Sequence, residues 1–178
     1  MAQASIGLSA AWKTRPMQIG NPGDPAYAVL KEGKEGADLI MSGALKKDLR
    51  DGHINDPKLN VRAGIGYLFT RMAKSDLASV LDGSDPKPFD YTVVAGDSLD
   101  RIAGKVGSTV EVLKQLNPGV AVLQPKQRIV CRKAKIQRVI KGWLSFDSVT
   151  VARRYNVGDP DYAAKLAYVR SLFAKLKR

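Results

Sequence analysis

A change in composition after residue 81 is the feature that most constrains how this chain can fold. Residues 82–88 run Asp-Gly-Ser-Asp-Pro-Lys-Pro, and such a cluster of turn formers favours neither a helix nor a strand. Residues 89–132 then show apolar spacing that changes from a strand period to a helical period and back. The chain is therefore predicted to contain a small module that begins just after this linker, with other folded segments on both sides.

The module is predicted to have the order strand, helix, helix, strand. Tyr91 and Val93 lie on one side of its first strand, and residues 128–132 form its last strand. Asp97 is expected to cap the first helix, and Ser108 begins a sequence with capping-box spacing for the second. The apolar residues of the two helices are Leu99, Ile102, Ala103, Val106, Val110, Leu113 and Leu116.

The flanking segments are predicted to be mainly helical. The turn formers of residues 1–30 favour a loop, and the expected elements that follow are helices at 37–51, 58–74, 148–155 and from 161 to the end, with an extended segment at 134–143. Asp56-Pro57 is a plausible helix start. The apolar residues expected to be buried are Val61, Ile65, Leu68, Phe69 and Met72 in the helix at 58–74, and Tyr162, Leu166, Val169, Phe173 and Leu176 in the last helix. These two helices are expected to pack against each other.

The charge of the chain is concentrated near its C-terminus. Residues 133–178 carry 11 basic and 3 acidic side chains, a net charge of +8 out of +12 for the whole chain. Such a segment attracts polyanions in general, and because no nucleic-acid-binding motif accompanies it, nucleic acid is an unlikely partner. No apolar run reaches the length of a membrane span, and the N-terminus lacks the pattern of a signal peptide.

Neither a metal nor a cofactor is predicted. The chain has one histidine, His53, and one cysteine, Cys131, which are too few for a convincing zinc site. Cys131 lies in an apolar run, which favours a buried structural thiol. No Gly-rich phosphate loop and no Ser-His-Asp arrangement is visible.

Residues 89–132 resemble the LysM family. The resemblance rests on Phe-Asp-Tyr-Thr-Val-Val-Ala-Gly-Asp-Ser-Leu from Phe89 to Leu99 and on later positions, namely Ile102-Ala103, Val106, Val112-Leu113, Leu116-Asn117-Pro118 and Ile129-Val130. The family's Pro-Gly before the last strand is Pro125-Lys126 here. The resemblance implies binding of peptidoglycan or a related N-acetylglucosamine polymer in a groove between two loops. The residues that it implicates are Gly96, Asp97, Ser98, Leu99, Asn117, Pro118 and Leu123.

The flanks resemble soluble lytic transglycosylases and goose-type lysozymes in three places. These are Arg15 to Pro22, with Met17-Gln18; Asn60 to Leu68, where Ala-Gly would let a neighbouring helix approach; and Ala152 to Ala163, with Tyr155-Asn156. The resemblance implies that Gln18, Tyr155 and Asn156 line a glycan cleft. The predicted fold class is thus α+β, a mainly helical lysozyme-like lobe formed by residues 1–88 and 133–178 with an inserted βααβ LysM module at 89–132. Three separate domains in a row are the alternative.

The same resemblance places an essential Glu upstream of the Met-Gln segment, and here no acidic residue occurs before Asp24. Asp24, Glu32 and Glu35 are the nearest substitutes, and their Gly- and Lys-rich surroundings favour solvated surface charges. No catalytic residue is therefore predicted, and activity is not expected. The predicted function is that of a peptidoglycan binder with an inactive transglycosylase-like lobe, in the cell envelope or periplasm or in a phage or secretion particle. The alternatives are a transglycosylase whose Glu is supplied by a missing segment, and a structural component of a phage tail or secretion apparatus.

Overall fold

The structure, a computed structural model, describes residues 13–176. It divides into two compact units. Of the described residues, 13–75 and 140–176 form the helical unit, and Asp76–Val139 form the central unit. The fold is mixed α+β, as predicted from the sequence. The helical unit is thus discontinuous in sequence, with the central unit between its two segments.

From residue 26 to residue 72, the first segment of the helical unit contains three α-helices and two short 3-10 helices. They are α1 (Ala26–Glu32), a 3-10 helix (Lys34–Leu39), α2 (Gly43–Arg50), a 3-10 helix (His53–Asn55) and α3 (Pro57–Met72). The predicted start of α3 is confirmed, because the Asp56 side chain accepts a hydrogen bond from Leu59 N and Pro57 follows directly. Helix α1 begins inside the stretch that was predicted as a loop, and its buried residues Ala26, Val29 and Leu30 hold it in the core.

The face that α3 buries agrees with the prediction only in part. Met72 is buried as predicted and Leu68 is half-buried, but Val61, Ile65 and Phe69 are exposed. The residues that α3 contributes to the core are instead Leu59, Ala63 and Tyr67. Its small residues decide this. A Cβ added at Gly64 would lie 2.6 Å from the Cβ of Met17, so the glycine admits a side chain of the preceding loop rather than a neighbouring helix. Apolar periodicity predicted the wrong residues here because it takes account of the hydrophobicity of side chains and not of their size.

The second segment of the helical unit contains α6 (Ser148–Tyr155) and α7 (Tyr162–Leu176). Helix α3 packs against α6, and α6 packs against α7, so the partner predicted for α3 was wrong by one helix. The prediction that α7 buries one apolar face is met in part, because Tyr162 and Leu166 are half-buried. The rest of that prediction was wrong, because the remaining residues of the face are exposed: Val169, Phe173 and Leu176.

The central unit contains the predicted strand-helix-helix-strand order. Its elements are β2 (Phe89–Thr92), α4 (Leu99–Val106), α5 (Val110–Leu116) and β3 (Arg128–Cys131). Strands β2 and β3 pair antiparallel, with Tyr91 opposite Ile129. The helix caps differ by one residue from the prediction: Ser98 caps α4 in place of Asp97, and Thr109 caps α5 in place of Ser108. The core of the unit contains Val93, Ile102, Ala103, Leu113, Ile129 and Cys131.

The two stretches of chain that connect the units pair as a two-stranded sheet. They are β1 (Ala73–Leu81), which was not predicted, and β4 (Ala134–Trp143), which confirms the predicted extended segment. Asp82 N donates to Lys133 O at one end, and Leu144 N donates to Met72 O at the other, each over 2.8 Å. Over residues 13–176, no helix is both long and apolar enough to cross a membrane.

Candidate functional site

Two loops of the central unit and the adjoining first residue of α4 carry the seven residues that the LysM resemblance implicates, and Val93 connects these loops. Val93 N donates to Gln127 O, and Lys126 N donates to Val93 O, both over 2.8 Å. The first loop turns at Gly96, whose φ of +82° is in the left-handed region that favours glycine. The loop after β2 and the loop before β3 are therefore neighbours, as a shared binding groove requires.

Asp97 is committed to holding the first loop. Its side chain is only 2% exposed. One carboxylate oxygen accepts from Lys105 Nζ over 2.6 Å, and the other accepts from Val94 N and the Tyr91 hydroxyl. The hydrogen bond from Lys105 is the largest cause that lowers the pKa of Asp97 to about 2. Because all these partners belong to the module, the carboxylate fixes the turn and is not free to bind a sugar.

Asn117 is committed in a similar way to holding the second loop. Its amide nitrogen donates to Leu113 O and Val130 O, and its amide oxygen accepts from Val130 N, each over 2.8 Å. The side chain thus connects the end of α5 to strand β3. Its position at the groove is a consequence of this structural role.

The other predicted residues differ in what they present to solvent. Ser98 is exposed, and its hydroxyl accepts from Arg101 N as a helix cap. Gly96 and Pro118 are exposed, whereas Leu99 and Leu123 lie partly buried against the central core. The accessible part of these loops is thus mainly backbone, with small or apolar side chains.

Sequence reasoning missed two exposed apolar residues, one on each loop. Val94 is 51% exposed and Val122 is 75% exposed. Both lie in turn-rich stretches, where neither a strand period nor a helical period explains an apolar side chain. That mismatch is the signal that could have identified them as ligand-contacting candidates.

A second candidate site is a cleft of about 470 Å³ in the helical unit. Gln18, Tyr155 and Asn156 all line it, although Gln18 and Tyr155 are far apart in sequence. Two residues that were not predicted for the site, Tyr67 and Tyr162, also line it. The structure therefore brings together the three residues that the lysozyme-like resemblance implicated.

The loop that carries Gln18 is fixed by hydrogen bonds to Asn60, whose side chain is fully buried. Asn60 Oδ1 accepts from Met17 N, and Asn60 Nδ2 donates to Ile19 O, both over 2.9 Å. Between these two anchors Gln18 adopts a φ of +60°, which is rare for a residue other than glycine. The exposed Gln18 side chain thus projects from a backbone that is fixed on both sides.

Three tyrosines form one wall of this cleft. The ring centroids of Tyr67 and Tyr155 are 5.6 Å apart, and Tyr155 and Tyr162 are stacked at 6.3 Å. The Tyr155 hydroxyl is buried and has no hydrogen-bond partner among the described residues. Burial raises the pKa of Tyr155, which reinforces the protonated form that a phenol already has at neutral pH.

The three carboxylates considered as substitutes for a catalytic acid each have partners. Asp24 lines the cleft, and its two oxygens accept from Gly20 N over 2.8 Å and Ala26 N over 3.0 Å. Glu32 pairs with Lys34, whose hydrogen bond lowers the pKa of this carboxyl. Glu35 pairs with Arg71. These contacts occupy the three carboxylates, and none of them is the unpaired carboxyl in apolar surroundings that acid catalysis requires.

His53 lines a separate open hollow of about 640 Å³, together with Asp48, Asp56, Lys58 and Arg62. Its lining combines acidic and basic side chains, so it has no net preference for one sign of charge. Within residues 13–176, no three His, Cys, Asp or Glu side chains cluster closely enough to hold a metal ion.

Comparison with known proteins identifies the central module. Residues 91–131 match the LysM domain family. No curated protein and no solved structure matches the chain at a significant level. The match ends within the central unit, so the resemblance of the flanks to lytic transglycosylases stays a prediction.

Proposed function

We propose that this protein is a non-catalytic binder of peptidoglycan, or of a related polymer of N-acetylglucosamine, and that residues 89–132 make the primary contact. The observation that carries this proposal is the LysM match over residues 91–131, which coincides with an ordered βααβ unit. LysM domains occur in proteins associated with cell walls. We therefore place the protein in the cell envelope or periplasm, or in a phage or secretion particle that reaches the wall.

The contacts in the central unit support two kinds of role for the predicted glycan-binding residues. Asp97 and Asn117 hold the two loops in place through their saturated hydrogen bonds. Gly96, Ser98 and Pro118 leave the loop surface low and open, so that backbone groups can meet the acetamide and hydroxyl groups of the sugar. Leu99 and Leu123 supply an apolar wall for the acetamide methyl group.

We further propose that the helical unit is a lysozyme-like lobe interrupted by the LysM module, and that its tyrosine-walled cleft holds a second stretch of the same glycan. The grouping of Gln18, Tyr155 and Asn156 around one cleft supports this. Tyrosine rings offer an apolar face and a polar tip, a combination that suits a sugar ring. The partnered state of Asp24, Glu32 and Glu35 supports binding without cleavage.

Pull-down of the full chain with purified sacculi tests the primary contact. The assay is run at high salt, because screening removes the nonspecific attraction between the basic protein and an anionic wall. Leu123→Ala should weaken retention, whereas Val110→Ala, which alters another half-buried residue on the same core, should not. Both variants are first checked for an unchanged melting transition. Equal retention of the two variants would show that the proposed groove is wrong.

A further inference from the structure

The C-terminal half of α7 presents an apolar surface that the described residues leave uncovered. Its exposed side chains are Tyr168 (65%), Val169 (44%), Leu172 (40%), Phe173 (63%) and Leu176 (80%). Apolar residues are often exposed singly, but five on two turns of one helix form a contiguous patch, and such patches mark interaction sites. We call this set the α7 patch.

A difference in helix length explains why the patch is uncovered. Helix α6 has 8 residues and α7 has 15, so at 1.5 Å per residue they extend roughly 12 Å and 22 Å. Tyr162, Ala163 and Leu166, in the first half of α7, are half-buried. The second half is exposed, and its apolar residues lie partly on the face of Tyr162 and Leu166 and partly beside it.

The charged side chains of α7 are all basic. At about 100° per residue, the apolar side chains of α7 span an arc of roughly 160°, and Arg170 and Lys175 fall just outside its opposite edges. Lys165 lies within the arc but is paired with Asp159 over 2.8 Å. Helix α7 contains no acidic residue. The occupant must therefore accept apolar side chains in its interior and cations at its surface.

We propose that the α7 patch inserts into the surface of an anionic phospholipid bilayer. Interfacial binding of a helix depends on buried apolar area together with attraction of Lys and Arg to acidic lipids, and the patch supplies both. A second copy of this chain fits less well, because it would bring Arg170 and Lys175 close to their own counterparts. A stable protein interface typically uses roughly 20–30 residues on each side, far more than the patch offers.

The α7 patch shares no residue with either candidate glycan site. Lipid binding at the patch requires no cleft and no ordered loop. It predicts dependence on acidic lipid and on salt, and it also predicts dependence on Phe173 and Leu176, which a purely electrostatic attraction would not show.

The test is sedimentation of the full chain with phosphatidylcholine vesicles that contain or lack phosphatidylglycerol. Binding is expected only with phosphatidylglycerol. Replacing both Phe173 and Leu176 by Ala should lower the affinity at least tenfold, since each loses much of a buried apolar side chain. The matched control replaces Val157 and Leu77, which are 78% and 60% exposed elsewhere, by Ala and should bind as the parent does. Replacing Arg170 and Lys175 by Gln should lower the affinity on the order of 30-fold, at roughly fivefold per cation.

A fluorescent probe in the patch separates insertion from surface adsorption. With Phe173→Trp, lipids brominated in the acyl chains should quench the added emission, whereas Val157→Trp should show no such quenching. Four results would overturn the proposal: no vesicle binding, equal binding to neutral vesicles, unchanged binding by the Phe173 and Leu176 double variant, or no added quenching with Phe173→Trp. If the chain bound an acidic amphipathic peptide through the α7 patch but did not bind vesicles, lipid would also be rejected as the occupant.

Discussion

The side-chain amide of Asn117 and the backbone of Val130 exchange two hydrogen bonds, one in each direction, both of 2.8 Å. The amide thereby acts as a short strand neighbour to β3, and its nitrogen also donates to Leu113 O at the end of α5. One side chain thus joins the last helix of the module to its last strand, across the loop that the glycan is proposed to meet.

Removing this amide should destabilise the central unit. Asn117→Ala leaves the backbone N–H and C=O of Val130 without their partner, and each such loss costs roughly 1–3 kcal/mol. The denaturation midpoint of the central unit should fall accordingly. Gln115→Ala, an exposed change on the same helix, is the control. If Asn117→Ala melts normally but no longer binds sacculi, the residue contacts glycan directly.

Asp97 should make the stability of the central unit sensitive to acid. Its pKa of about 2 in the folded state lies below the ordinary value near 4. Its contribution is therefore fully present above pH 4 and is lost as the pH falls toward 2. Asp97→Asn should lower stability at pH 7 and flatten the loss between pH 4 and 2. Asp100→Asn, an exposed acid in the first turn of α4, should change neither. Parallel curves for Asp97→Asn and the parent would contradict this assignment.

The central module could be predicted closely because its determinants are local. Strand alternation, helical spacing and turn residues all lie within a few positions of the contacts that they specify, and only the caps moved, by one residue. Asp97 was expected to serve as the cap, but the structure gives that role to Ser98 and places Asp97 with Tyr91 and Lys105. Spacing alone cannot distinguish these two uses of a short polar side chain.

The helical unit was harder to predict because its contacts are distant in sequence or depend on size. The stacking of Tyr155 on Tyr162 was not expected, nor was the approach of Tyr67 to both the core and the cleft. The outer face of α3 is apolar and exposed, and Phe69 there contacts Trp143 and Phe146 at 5.4 and 5.5 Å. Apolar periodicity favours that face because it gives little weight to the small residues on the opposite side of the helix, which permit close packing.

A single methyl group should reveal how closely Met17 packs against α3. Gly64→Ala places a Cβ 2.6 Å from Met17 Cβ, which is too close, so the Met17-Gln18 loop must move. We expect a loss of about 1–3 kcal/mol in the stability of the helical unit. Gly104→Ala is the matched control, since a Cβ on this residue of α4 meets nothing within 4 Å. It should be neutral or stabilise by up to about 1 kcal/mol. Equal effects from the two variants would disprove the close packing.

The helical unit should fold without the central unit. Leu144 N donates to Met72 O over 2.8 Å, so the two chain segments lie side by side just inside this unit. A short Gly/Ser linker in place of residues 76–139 can therefore join them at a small entropic cost. The shortened chain should show a helical circular dichroism spectrum and one cooperative melt. Loss of cooperative unfolding would show that the lobe is not an independent domain interrupted by an insertion.

The chain should bind peptidoglycan without cleaving it. Protonation of the glycosidic oxygen by a general acid typically contributes 10²–10⁴-fold to the rate, and none of the three carboxylates considered as substitutes is poised to supply it. Asp24 lines that cleft but accepts two backbone N–H bonds, and Glu32 and Glu35 are ion-paired. Overnight digestion of purified sacculi, with soluble muropeptides measured by mass spectrometry, should give no more product than a boiled control. Gln18→Ala should weaken retention of sacculi in the same preparation, because the side chain projects into the cleft from a fixed backbone.

Soluble anhydro-muropeptides above the control would instead establish lytic activity. Asp24→Asn would then identify the acid if it abolished that activity, with Glu32→Gln and Glu35→Gln as the comparison variants.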